Sequence, residues 1–312
     1  MPSLNLCTFD QKGVPMPGLV GNERILPLAA AYATIPKAPP PPASLLDLMG
    51  DAPAHEPHLE RLAAGLAQGR FELRSLSLPL ATTRLLAPLL YPRKLFCAGA
   101  NYYDHVKEMG SQPPDTRTEE PFFFLKPPTT TIIGPGAPIV MPKIASSIDW
   151  EIELAVVIGR RCRDLSRDEA MAAVAGYTIL VDVSVRGEKH RRPRHTFTWD
   201  WLSGKGFDTA APMGPWVVLK SSIADPQNLC LKLFVNDVLK QNSNTNQMIF
   251  SIVDQVTWLS RIITLEPGDV VSTGTPAGVG APRKEFLKPG DVVRAEIEEI
   301  GTLTNPVVGP EA

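Results

Sequence analysis

Hydrophobic and polar positions change pattern partway along the chain. From Lys94 onward, short β-branched and aromatic runs recur at Pro121–Leu125, Ile152–Ile158, Tyr177–Val185, Trp216–Leu219, Leu231–Val235, Val270–Thr273 and Val292–Ile297. Pro-Gly-Asp turns at 267–269 and 289–291 separate the last of them, so these runs read as strands. Two helices interrupt. Ser166-Arg-Asp-Glu169 is a capping box that opens a helix closed by Gly176, and Gln247 to Ile262 is long and apolar enough for another. The first ninety residues read as a small α/β module with a helix over Leu59–Gln68, stopped by Gly69. Many strands and few helices predict a β-rich α+β fold rather than alternating βαβ units. The expected division is an accessory module over 1–90 and a larger sheet-rich domain over 91–312, joined by a linker at Ala87–Pro92. No internal repeat is visible.

Composition narrows the function classes. With 312 residues the chain can bury a full core, and 44% hydrophobic content excludes a disordered protein. Lysine plus arginine total 31 against 33 aspartate plus glutamate, a net charge of −2 that argues against a dedicated nucleic-acid binder. Met1 to Asp10 lacks the basic and apolar regions of a signal peptide, and no apolar run reaches membrane-spanning length. Cys7, Cys97, Cys162 and Cys230 form no C-x-x-C pair and read as reduced thiols. A cytoplasmic protein without membrane or nucleic-acid partners is expected. The 32 prolines include Pro39–Pro42 within Pro36–Pro42, a polyproline stretch that reads as a stiff surface loop or a docking motif.

The strand Trp150–Ile158 supplies the first candidate chemistry. Trp150, Ile152, Leu154, Val156 and Ile158 alternate onto one face, so Glu151 and Glu153 project together from the other. In the next strand Asp182, Ser184 and Arg186 share a face, and an acid embedded among apolar residues needs a partner. Three carboxylates on two strands suit Mg²⁺ or Mn²⁺, one ion per chain, with octahedral positions left for water and substrate. The alternative is a solvated Glu-x-Glu face with Asp182 paired to Arg186.

Other constellations are weaker alone. Asn101 to Gly110 reads as a short helix capped by Asn101, with His105 and Glu108 at i, i+3 on one face. That pair is either a general base for water or a surface ion pair. Lys205, between two glycines, is either an oxyanion donor or an exposed loop lysine. Thr273–Gly280 follows a strand and could hold a carboxylate through backbone amides and hydroxyls, but its spacing is not that of a nucleotide loop. Arg186 to His195 carries five Lys/Arg and two His against one Glu, which reads either as a nucleic-acid or localisation patch or, fitting a near-neutral chain better, as a basic flap over an acidic substrate.

Taken together these motifs resemble the fumarylacetoacetate hydrolase family, in the branch of acylpyruvate hydrolases, oxaloacetate decarboxylases and ring-cleavage-product isomerases. The matching stretches are Asn101–Glu108, Phe122–Pro127, Asp149–Leu154, Gly176–Ser184, Gly204–Asp208, Gly214–Trp216, Leu265–Asp269, Thr273–Pro276 and Gly278–Gly280. The resemblance implies a mixed β-roll catalytic fold, a homodimer, and a divalent ion held by Glu151, Glu153 and Asp182. It implies His105 with Glu108 as the water-activating dyad and Lys205 as the cation facing the reacting oxygen. Tyr102, Arg186, Lys189 and Thr275 are the candidate substrate contacts. After Ser184 the family commonly reads Ala-Arg-Asp-x-Gln, whereas this chain has Val185-Arg-Gly-Glu-Lys189, and Lys189 is either an extra cation favouring a more anionic substrate or a repositioned flap lysine.

The implied activity is metal-dependent hydrolysis of a C–C bond in a 2,4-dioxo acid of the acylpyruvate or fumarylpyruvate type, as in aromatic catabolism. Decarboxylation or tautomerisation of a 2-oxo acid on the same site is the alternative.

Overall fold

A computed structural model describes residues 2–186 and 200–310. The fold is mixed α+β and sheet-rich. Among the described residues its main sheet has eleven strands. Ten form a continuous path: Leu78–Pro79, Arg24–Pro27, Val14–Gly21, Asn5–Gln11, Ala211–Leu219, Val174–Val181, Ile152–Ile158, Val270–Ser272, Leu95–Gly99 and Phe122–Leu125. Ile132–Ile133 adds the eleventh, alongside Ala211–Leu219. A second sheet of five strands runs Val238–Asn244, Cys230–Val235, Val292–Ile297, Gly301–Val308 and Ile139–Val140. Ile148–Asp149 and Ser184–Val185 form a small ladder, with Ser184 opposite Asp149.

Alternation along Ile152–Ile158 explains how these layers pack. Ile152, Leu154, Val156 and Ile158 join a core with Leu231, Leu233, Val293 and Ala295 of the second sheet. Ala155 and Val157 face the opposite way, into a core with Leu59, Leu62 and Leu66 of the N-terminal helix. The strand is therefore buried on both faces, which accounts for its continuous β-branched character. Register carries this pattern into its neighbours, with Glu153 opposite Leu180 and Ala155 opposite Ser272.

The first ninety residues contribute four strands to the main sheet, and Asn5–Gln11 pairs directly with Ala211–Leu219. Ala87 and Leu89, within the expected linker, are buried in the same core as the N-terminal helices. The polyproline stretch is a loop with Pro40 and Pro41 exposed.

Several boundaries differ from the sequence expectation for identifiable reasons. The N-terminal helix spans Ala52–Ala67, starting well before Leu59 and carrying Pro57 inside it. Proline lacks the N–H and normally ends a helix reading. Gly69 follows with φ +68°. The helix expected from Gln247 begins at Ile252, where Ser251 and Asp254 form a reciprocal capping box. The helix after Ser166 runs only to Ala170, continues as a 3-10 turn, and passes into a strand at Val174 rather than closing at Gly176.

Candidate active site

The strand Ile152–Ile158 and the break after Val181 bring three acids together. Glu151, Glu153 and Asp182 are all buried, and one oxygen from each lies within 4.8 Å of the others. Three cations surround them. Lys205 Nζ donates to Glu151 Oε2 at 2.8 Å and to Asp182 Oδ2 at 2.5 Å. Lys126 Nζ pairs with Asp182 Oδ1 and donates to the Val183 carbonyl at 3.1 Å. Arg186 pairs with Glu151 and donates through Nε to Asp149 Oδ2 at 3.1 Å. The sequence alternative of an Asp182–Arg186 pair is thus replaced by Asp182 between two lysines.

Charge distribution separates the two glutamates. Burial opposes ionisation of Glu151, but Lys205 and Arg186 outweigh it and hold its pKa down at about 2. Burial together with the Asp182 and Glu151 carboxylates pushes Glu153 up to about 8. Glu153 Oε2 accepts from Ser272 Oγ at 2.5 Å and from the Gly274 amide at 2.8 Å. Its Oε1 is buried without a hydrogen-bond partner among the described residues. An orphaned carboxylate oxygen beside two further carboxylates is the donor arrangement that a hard divalent cation completes. The residues present fit such an ion.

Lys205 lies on a short helix, Trp201–Lys205, whose N-cap Asp200 accepts from the Ser203 amide. Burial opposes its charge, yet Asp182 and Glu151 raise its pKa above the ordinary lysine range. It is a buried ammonium rather than an exposed loop lysine.

His105 and Glu108 lie on the helix Tyr103–Glu108, with His105 Nδ1 3.8 Å from Glu108 Oε2. His105 Nδ1 has no hydrogen-bond partner among the described residues. Glu108 Oε2 accepts instead from the Gly278 amide at 2.9 Å, and Arg283 lies 3.8 Å from Oε1. Asn101 does not cap this helix, because Tyr102 occupies the N-cap position. The Asn101 amide instead clamps Phe250 and Thr273.

The candidate substrate contacts divide. Arg186 stands on the cluster. Tyr102 is fully buried, and burial with the nearby Glu153 and Asp104 charges raises its phenol pKa well above the usual value. The Thr275 hydroxyl donates to the Ile152 carbonyl at 2.9 Å and accepts from Gln241 Nε2 at 2.9 Å. It thereby braces the backbone between the two glutamates. Lys189, with most of the basic segment, lies outside the described residues.

Three contributors carry no sequence signal of their own. Lys126 is a strand-end lysine, Asp149 a lone acid before Trp150, and Gln241 one of several amides in a polar stretch. All are buried, and each meets partners far away along the chain, Gln241 accepting from the Ile152 amide at 3.0 Å and Asp149 from the Gly280 amide at 2.7 Å.

Comparison with known proteins agrees with this architecture. Residues 94–308 match the profile described as fumarylacetoacetate (FAA) hydrolase C-terminal, and the chain belongs to the fumarylacetoacetate hydrolase family. It is 46% identical over 233 residues, 74% of this chain and 71% of the relative, to the human mitochondrial oxaloacetate tautomerase FAHD2B. The maleylpyruvate hydrolase of Sphingobium sp. SYK-6, solved with manganese(II) and pyruvate, matches with a TM-score of 0.75 at 30% identity, covering 98% of this chain and 100% of that one. The fumarylacetoacetate hydrolase of Exiguobacterium antarcticum matches with a TM-score of 0.77 at 32% identity, covering 98% and 99%. The protein is an enzyme of this family. Among the described residues no helix is long and apolar enough to cross a membrane.

Proposed function

We propose that the chain is a divalent-metal-dependent enzyme that interconverts the keto and enol forms of a short, anionic 2-oxo acid of the oxaloacetate type. The observation that carries the metal-dependent chemistry is the convergence of Glu151, Glu153 and Asp182, with Glu153 Oε1 left unpartnered among the described residues. Glu151, Glu153 and Asp182 would hold Mg²⁺ or Mn²⁺, and the ion would supply Lewis-acid polarisation of the substrate's carboxylate and 2-keto oxygens. Charge counting favours an anionic substrate. Among the described residues, four carboxyl groups (the triad and Asp149) face Lys126, Lys205 and Arg186. With a dication added and all four ionised, one net positive charge would remain.

The chain's own groups supply the remaining chemistry. Lys205 presents a permanent ammonium to a developing oxyanion. The Nδ1 of His105, without a hydrogen-bond partner among the described residues, would carry the proton between the carbon beside the keto group and the keto oxygen. Tautomerisation needs only that carrier. The 46% identity to an oxaloacetate tautomerase supports this reading, as does Glu108 bonding Gly278 rather than His105.

Hydrolysis of a 2,4-dioxo acid, of the kind aromatic catabolism generates, is the second reading. It is favoured by His105 and Glu108 sharing one helix face, where a rotated Glu108 would orient the imidazole to activate water. The free cysteines fit a reducing compartment such as the cytoplasm, and a homodimer is the assembly we expect.

A panel of enolic oxaloacetate and acylpyruvates, assayed with Mg²⁺ or Mn²⁺ and with EDTA, tests both readings. Glu108→Gln should leave enol–keto conversion within about tenfold of the parent, whereas a hydrolase would lose its 10²–10⁴-fold base contribution. Metal-independent turnover of every substrate would overturn the proposal.

A further inference from the structure

Asp149 is fully buried and stands outside the acid triad. Its Oδ1 accepts from the Trp150 amide at 2.8 Å and the Gly280 amide at 2.7 Å. Its Oδ2 accepts from the Ala281 amide at 3.0 Å and from Arg186 Nε at 3.1 Å. Arg186 sends a second nitrogen, Nη2, to Glu151 Oε1. One planar guanidinium is therefore divided between two carboxylates.

That division bears on the triad. A guanidinium facing a single carboxylate pairs with both its oxygens, two parallel N–H donors to two acceptors. If Arg186 did so with Glu151, it would add a second donor to Oε2, which already accepts from Lys205 Nζ at 2.8 Å, and leave no lone pair there for a divalent cation. Asp149 removes Nε from that contest. Asp149 is itself held on its far side by Gly280 and Ala281, so it cannot follow Arg186 toward Glu151. The approach is close enough that a Cβ on Gly280 would lie 2.8 Å from Asp149 Oδ1. The same loop supplies the Gly278 amide that holds Glu108, so Asp149 also ties the arginine to the dyad.

We propose that Asp149 is a positioning residue that holds one arm of Arg186 away from Glu151 and so keeps Glu151 open to a divalent cation. This rests on the assignment of Glu151, Glu153 and Asp182 as metal ligands.

Mn²⁺ binding to the purified full chain, followed by electron paramagnetic resonance of the free ion, tests the role without reference to turnover. Asp149→Asn should weaken Mn²⁺ binding by about 10- to 100-fold, the range for supporting partners of metal ligands. Arg186→Gln, which leaves Asp149 its three amide donors, should bind Mn²⁺ at least as tightly as the parent. The double variant should match Arg186→Gln, because the competitor has gone. Loss of a nearby negative charge or of local packing would instead lower the double variant by the same factor as Asp149→Asn alone, and that result would overturn the proposal. So would Arg186→Gln binding more weakly than the parent, which settles the matter even if Asp149→Asn does not fold. A parent that bound no Mn²⁺ would overturn the ligand assignment as well, whereas a binding parent with an unaffected Asp149→Asn would overturn the Asp149 role alone.

Discussion

Glu153→Gln should stabilise the metal-stripped protein at pH 8 while removing its response to metal. Glu153 is buried among Asp182 and Glu151, and its pKa rises from the ordinary 4.5 to about 8. The folded value lies above the unfolded one, so the carboxyl contributes fully below about pH 4.5. That contribution is then lost as pH climbs toward 8, because the unfolded chain releases the proton while the folded chain retains it. With each tenfold change in proton affinity worth about 1.4 kcal/mol, the loss reaches about 5 kcal/mol in the alkaline limit. Glutamine keeps an oxygen for Ser272 and Gly274 and carries no charge. Denaturant unfolding in EDTA at pH 5 and pH 8 would therefore show the variant gaining on the parent by several kcal/mol between the two. Mn²⁺ at a hundred times its Kd should narrow that gap by about 2.7 kcal/mol, since only the parent retains all three carboxylates. Equal pH dependence of parent and variant in EDTA would refute the account of why Glu153 is protonated.

Two further expectations concern elements around the site. Ser251→Ala removes the hydroxyl that caps the helix Ile252–Ile262 and should cost about 1 kcal/mol in denaturant unfolding, with little change in metal binding. Gly280→Ala places a Cβ against the Glu285 carbonyl and Asp149 and should destabilise the chain by about 1–3 kcal/mol. It should also weaken Mn²⁺ binding, and a variant with parental stability and affinity would show that the loop yields without strain.

How far the sequence reveals this site depends on the distance over which each residue acts. The strand was legible because apolar residues alternate with Glu151 and Glu153 from Trp150 onward, a purely local pattern; the observed strand ends at Ile158 as expected and starts at Ile152, leaving Glu151 just before it. The meeting of Asp182 with that strand was legible because strand pairing brings neighbouring runs together, here with Ile152 opposite Val181. Ala52–Ala67 was only half legible, since Pro53 and Pro57 mask its first turns although both are accommodated there. Lys126 and Gln241 were not legible in their roles. Each is an ordinary polar residue until folding sets it against a partner more than fifty positions away. Asn101 misled for the opposite reason. Its type suits a helix cap, yet both ends of its amide are consumed by buried backbone at Phe250 and Thr273.

The pairing of Asn5–Gln11 with Ala211–Leu219 has a practical consequence for anyone shortening the chain. Removing the first ninety residues would strip that ladder and turn Val217–Leu219 into the open rim of a large sheet, two strands from Glu153. Unpaired backbone donors on such a rim recruit other chains. A truncated protein should therefore be recovered as aggregate, and its loss of activity would report on solubility before it reported on catalysis.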